Sequence, residues 1–140
     1  MVVYITKEIV VQTNKGLVSL YGQSYAMQQE ANLEYVLERM QHYGENISDE
    51  EEKILKKAAY LLYQLAYAAH VFSDGNKRTA LTSTLYFLNA NGYVFPDSLA
   101  SSGKQVEIAA FMKDTAEGKM PLSAIYRWLK SYVVKKNVEG

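Results

Sequence analysis

The sequence predicts an all-α fold, one helical bundle formed by residues 1–140, and three observations carry that expectation. Apolar residues recur at three- and four-residue spacing along most of the chain, the period of helices with one buried face. The periodic stretches stop at Gly22, Gly44, Gly92 and Gly118, where glycine can close a helix in a left-handed turn. Prolines are confined to Pro96 and Pro121, so little interrupts helical hydrogen bonding in between.

The elements follow in order. After a short extended start, Thr6 can cap a helix that runs to about Tyr21. A second helix sets Leu33, Val36, Leu37 and Met40 on one face and ends at Gly44. Ser48-Asp49-Glu50-Glu51 has capping-box spacing, with Ser48 as the cap, and opens the longest apolar-faced segment. Ile54, Leu55, Ala58, Leu61, Leu62, Leu65 and Ala69 predict a central helix buried on much of its circumference. The pattern breaks at His70–Gly75 and resumes from Asn76 to Asn91, with Leu81, Leu85 and Leu88 expected inward. Tyr93–Pro96 reads as a brief extended piece and Lys104–Glu117 as a helix. Pro121 suits the first turn of a last helix carrying Leu122, Ile125, Leu129 and Val133, and Lys135–Gly140 reads as a frayed tail.

Composition narrows the function classes. With 49% hydrophobic residues, 140 residues can build one core without staples. No cysteine is present, which removes disulfides, thiolate metal sites and cysteine nucleophiles. Fifteen basic and fifteen acidic residues balance, so no global field draws the chain to nucleic acid or an anionic membrane. No apolar run reaches the roughly 20 residues of a membrane span, and the start lacks signal-peptide character. A cytoplasmic protein is expected.

One segment carries chemistry: His70-Val71-Phe72-Ser73-Asp74-Gly75-Asn76-Lys77-Arg78-Thr79. It places a helix start, with its unpaired N–H groups, directly after a glycine turn, which makes a ready anion site. Lys77 and Arg78 add cations in a first turn where the helix dipole favours acids, a cost that a bound polyanion relieves. Asp74 offers a hard oxygen ligand for Mg²⁺ beside phosphates. His70, with an ordinary pKa of roughly 6.5, suits a general base. Phe72 is expected to point into the core and hold the loop.

Singly, each of these residues has an ordinary reading. A histidine at a helix end can be a dipole partner, Asp74-Gly75-Asn76 a turn with Asn76 as N-cap, and Lys77 and Arg78 solvated surface. His42 has no partner spacing around it and reads as surface. The twelve tyrosines are too scattered for a stacking platform.

Together, these residues resemble the signature of the Fic/Doc family, H-x-F-x-[DE]-[AG]-N-[GK]-R, at every specified position. The resemblance extends over roughly residues 4–134 and is strongest across 55–95. It implies a Fic-fold bundle with the active-site loop between two central helices. It also implies roles: His70 as base, Asp74 holding Mg²⁺, and Gly75, Asn76, Lys77 and Arg78 forming an anion hole. Family members align their target on a flap before the central helix, for which Gln41–Asn46 is the expected equivalent.

Members that attach AMP carry H-P-F-x-[DE]-G-N-G-R-x-x-R. Here Val71 replaces the proline, Lys77 the second glycine and Leu81 the second arginine. The lysine and leucine resemble the Doc branch, toxins that bind ATP reversed and phosphorylate a threonine of elongation factor Tu. Gly75 departs from Doc, which has alanine, and Thr82 stands where Doc has asparagine, so Thr82 is a candidate nucleotide contact. The resemblance therefore implies a Ser/Thr phosphotransferase using ATP and Mg²⁺ on an elongation factor Tu-like target. Transfer of AMP to protein hydroxyls is the alternative within enzymes, and a pure binding module the alternative outside them. No match to the family's inhibitory pattern [ST]-x-x-x-E-[GN] is found; Ser48…Glu52 is followed by Lys53. A Phd-like antitoxin supplied in trans is expected to be the brake.

Overall fold

The computed structural model describes residues 1–136. Helix α1, Lys7–Leu20, starts at Thr6, whose hydroxyl accepts the Ile9 N–H (3.3 Å), and ends before Gly22, at φ +73°. Helix α2, Glu30–His42, buries Leu33, Val36 and Met40. Helix α3, Glu50–Tyr63, is capped one residue later than expected. The Asp49 carboxylate, not the Ser48 hydroxyl, accepts the Glu52 N–H at 2.9 Å. A full negative charge at the positive end of the helix dipole favours the aspartate.

Helix α3 packs against α2 on one side and on its other sides against α4, Asn76–Ala90, and α6, Leu122–Tyr132. It is buried on most of its circumference: Ile54, Leu55, Ala58, Ala59, Leu61 and Leu62 are all inside, as the dense apolar pattern requires. The inward face of α4 differs from the expectation. Thr79, Ala80, Ser83, Thr84, Phe87 and Leu88 are buried, whereas Leu81 and Leu85 are only half-buried. Small side chains let α4 approach α1 and α3 closely, and this rotates Leu81 toward the surface.

Pro121 is the N-cap of α6 and so lies just outside its first turn. Helix α5, Ser102–Ala116, is capped by the Ser101 hydroxyl and starts two residues before the expected boundary. Strand β1, Tyr93–Val94, pairs antiparallel with β2, Val134–Lys135, and the Lys136 N–H donates to the Gly92 carbonyl at 2.9 Å. The expected frayed tail is therefore paired at least to Lys136; positions 137–140 lie outside the described residues. Such pairing between distant segments leaves no local signature. No helix among the described residues is long and apolar enough to cross a membrane.

Candidate active site

The loop lies where α3 meets α4, and α3 does not end in a simple cap. It passes into a π turn, Gln64–Ala68, closed by the Ala69 N–H donating to the Gln64 carbonyl at 2.9 Å. His70 follows at φ +48°, a left-handed conformation that helix ends normally give to glycine. Holding a β-carbon there costs on the order of 1 kcal/mol, strain of the kind that gathers at functional positions. The His70 ring is exposed and lies 6.4 Å, centroid to centroid, from Tyr67 of the π turn.

Val71 and Phe72 are buried and anchor the loop, as expected of Phe72. The segment Gln23–Gln29 runs beside them. Gln28 and Gln29 N–H groups donate to the Val71 carbonyl (2.8 and 3.1 Å), and the Ser73 N–H donates to the Ala26 carbonyl (2.9 Å). Gln41–Asn46, the expected flap, lies elsewhere. Helix α2 starts beside Val71 and carries the chain about 20 Å away before that segment begins, given a rise of about 1.5 Å per residue. The sequence placed the flap before α3; the structure sets Gln23–Gln29, before α2, against the loop.

Asn76 is the first residue of α4 and Gly75, at φ +77°, its cap. The Asn76 carboxamide closes the loop on itself: Oδ1 accepts the Phe72 N–H (3.1 Å) and Nδ2 donates to the Phe72 carbonyl (2.6 Å). Its side chain is therefore a brace, and the N–H groups of Asn76, Lys77 and Arg78 stay open. The first helical bond is donated later, by the Thr79 N–H to the Gly75 carbonyl (2.8 Å), and no side chain caps this end. Three open donors with two adjacent cations and no acid in the first turn make a cradle suited to an anion.

Lys77 and Arg78 both border two recesses. One, about 280 Å³, is lined by Ala66, Gly75, Asn76 and Ala116; the other, about 430 Å³, lies between α1, α4 and α5 and includes Thr82 and Leu81. Among the described residues, the side chains of His70, Asp74, Lys77, Arg78 and Thr82 make no hydrogen bond or ion pair within the protein. Arg78 instead stacks on Tyr21, its guanidinium carbon 3.7 Å from the ring centroid. The described residues hold no cluster of three or more metal-ligating side chains. The lone exposed carboxylate of Asp74 fits a Mg²⁺ that takes its other ligands from phosphate and water.

Asn14 was missed by the sequence reading. Wholly buried on α1, it donates from Nδ2 to the Asp74 carbonyl (2.9 Å) and to Thr79 Oγ1 (3.0 Å), which ties both ends of the cradle to another helix. A signal was present: Asn14 sits between Val10 and Val18 on the buried stripe, where a polar residue needs a partner. A β-carbon on Gly75 would lie 2.9 Å from Val18 Cγ1 and 3.1 Å from Asn14 Nδ2, so this turn is fitted to glycine.

Comparison with known proteins gives the family. The model of the Fic/DOC family matches residues 4–88. A curated relative, "Protein kinase doc" of Escherichia phage P1, is 28% identical over 122 residues, 87% of this chain and 89% of that protein. The match spans more than half of the chain, including the whole loop from His70 to Arg78, and the chain belongs to the Fic/DOC family as a Doc-like member.

Proposed function

We propose that the chain is a protein kinase toxin that moves the γ-phosphate of ATP onto a Ser or Thr hydroxyl of a translation factor resembling elongation factor Tu. One observation carries this reading: Lys77 and Arg78 stand without an ion pair among the described residues at the uncapped start of α4, which opens six residues after His70, while Leu81 takes the place of a second arginine. In AMP-transferring relatives position 77 is a glycine. A lysine stem there crowds a triphosphate seated in their orientation, and its charge favours the reversed one.

His70 accepts the proton of the target hydroxyl as its oxygen attacks the γ-phosphorus. The bond from that phosphorus to the bridging β–γ oxygen breaks, and ADP leaves. Lys77, Arg78 and the open N–H groups of α4 neutralise charge on the phosphoryl group in transit. Asp74 holds Mg²⁺, which shields the nucleotide phosphates when bound. Gln23–Gln29 serves as the flap on which the target chain aligns.

The reaction belongs in the cytoplasm, with its translation-factor target. Control comes from a Phd-like antitoxin whose tail folds as an amphipathic helix along the recess between α1, α4 and α5, lined by Leu17, Leu81, Ile108 and Met112. The test pairs growth with chemistry. Expression of the chain alone should arrest growth, and purified chain with ATP and Mg²⁺ should phosphorylate one major protein in a bacterial lysate. His70→Ala should abolish both. Arrest that persists in His70→Ala would remove the base from the mechanism.

A further inference from the structure

The arginine of the anion cradle has no carboxylate partner among the described residues. Its neighbour is an aromatic face: Arg78 Cζ lies 3.7 Å from the centroid of Tyr21, within contact distance of the ring. We propose that Tyr21 is a positioning residue for Arg78, seating the guanidinium so that its N–H edge is preset for a phosphate chain. The inference rests on the phosphate-transfer reading above and adds a residue outside the loop to it.

The choice of partner matters physically. A carboxylate would take up the N–H fork of Arg78 and cancel its charge. An aromatic face attracts the cation through its quadrupole and contacts only the flat side of the guanidinium. The N–H groups lie in the plane of that group, so stacking leaves them available for bidentate contact with phosphate. Orientation is gained while donors and charge are kept.

Tyr21 is placed for this by rigid backbone. It is the C-cap of α1, and its N–H donates to the Leu17 carbonyl at 3.2 Å. The following turn is closed by the Gly22 N–H to the Ser19 carbonyl (3.1 Å) and the Gln23 N–H to the Val18 carbonyl (2.7 Å), with Gly22 at φ +73°. Helix α1 packs on α4, so the ring and the guanidinium are presented by two helices fixed to each other. Yet Tyr21 is 55% exposed and contributes little to the core. Its ring serves Arg78 more than the fold.

The test compares Tyr21→Phe, Tyr21→Leu and Tyr21→Gln with the unsubstituted chain, using tripolyphosphate as the probe. Ring currents should shift the Arg78 δ-protons upfield in the NMR spectra of the unsubstituted chain and Tyr21→Phe, and the shift should vanish in the other two. Tripolyphosphate should bind roughly two- to fivefold more weakly to the Leu and Gln variants, the factor one exposed cation–π contact supplies, and as before to Tyr21→Phe. The KM for ATP should rise by a similar factor while the KM for the protein target stays put. Unchanged polyphosphate affinity in both non-aromatic variants, or a Phe variant as weak as Leu, would overturn the proposal. Because polyphosphate binding involves no transfer, failure of the unsubstituted chain to phosphorylate anything would strike the kinase reading and leave this result standing.

Discussion

Two lysines, one midway along α3 and one in the first turn of α4, have opposite fates. Lys57, midway along α3, is completely buried. Its ammonium donates to the carbonyls of Met40 (3.1 Å) and Gln41 (2.9 Å), the open end of α2, and pairs with Glu45 at 2.9 Å. In the first turn of α4, Lys77 is exposed and makes no hydrogen bond or ion pair among the described residues. The first lysine has every donor answered by the fold. The second has no donor taken up by a hydrogen bond or ion pair among the described residues. A charge answered internally is structure, and a charge left open beside other open charges marks a site.

Swapping the two roles gives the sharpest contrast. Lys77→Met should leave stability within about 0.5 kcal/mol, as surface changes do, while phosphoryl transfer falls by on the order of 100-fold. Lys57→Met should reverse this, losing about 2 kcal/mol because two carbonyls and Glu45 lose their donor, with transfer per folded molecule retained. Denaturant melts and γ-label transfer on both variants check the crossover. Comparable activity in Lys77→Met and the unsubstituted chain would erase the distinction.

The strained His70 extends the comparison to the backbone. His70→Gly should remove the side chain proposed to accept the proton and also the left-handed strain at φ +48°. Transfer is expected to fall by at least about 100-fold while stability rises by about 1 kcal/mol. A variant both inactive and less stable would mean that His70 supports the fold.

Asn14 lies between the two regions, buried like Lys57 but bonded to the site. Asn14→Leu should cost about 1–2 kcal/mol through its lost bonds to Asp74 and Thr79, and should lower kcat through a looser cradle. Stability lost with kcat intact would make Asn14 structural only.

The smallest effect is acidic. The Lys57 hydrogen bond holds the Glu45 carboxyl below its usual 4.5. A depressed carboxylate stabilises the fold above its unfolded pKa and loses that contribution as pH falls through the folded value. Melting temperatures of Glu45→Gln and the unsubstituted chain should therefore differ near neutrality and converge as pH falls through the lowered Glu45 value.

The site loop was legible because its information is local: His70, Asp74, Gly75, Lys77 and Arg78 are adjacent in sequence, and glycines punctuate the helices. What could not be read depends on tertiary contact. The Asp49 cap was off by one position because serine and aspartate both suit it. The inward face of α4 was misjudged because leucines outweigh small residues in a hydrophobic pattern, while close helix approach favours Thr79, Ala80 and Ser83. Gln41–Asn46 was expected as the flap from its place before the central helix; that Gln23–Gln29 is the segment bonded to the loop depends on tertiary contact. Asn14 and Tyr21 reach the loop only through the packing of α1 on α4.

The central claim concerns which bond of the nucleotide breaks. Incubating the chain with Mg²⁺, bacterial lysate and ATP labelled at either the α or the γ phosphorus tests it directly. The reading from Lys77 and Leu81 expects label on a serine or threonine from γ-labelled ATP alone, with ADP released. Protein label from α-labelled ATP would contradict it, and would place the chain with the AMP-transferring members despite its lysine.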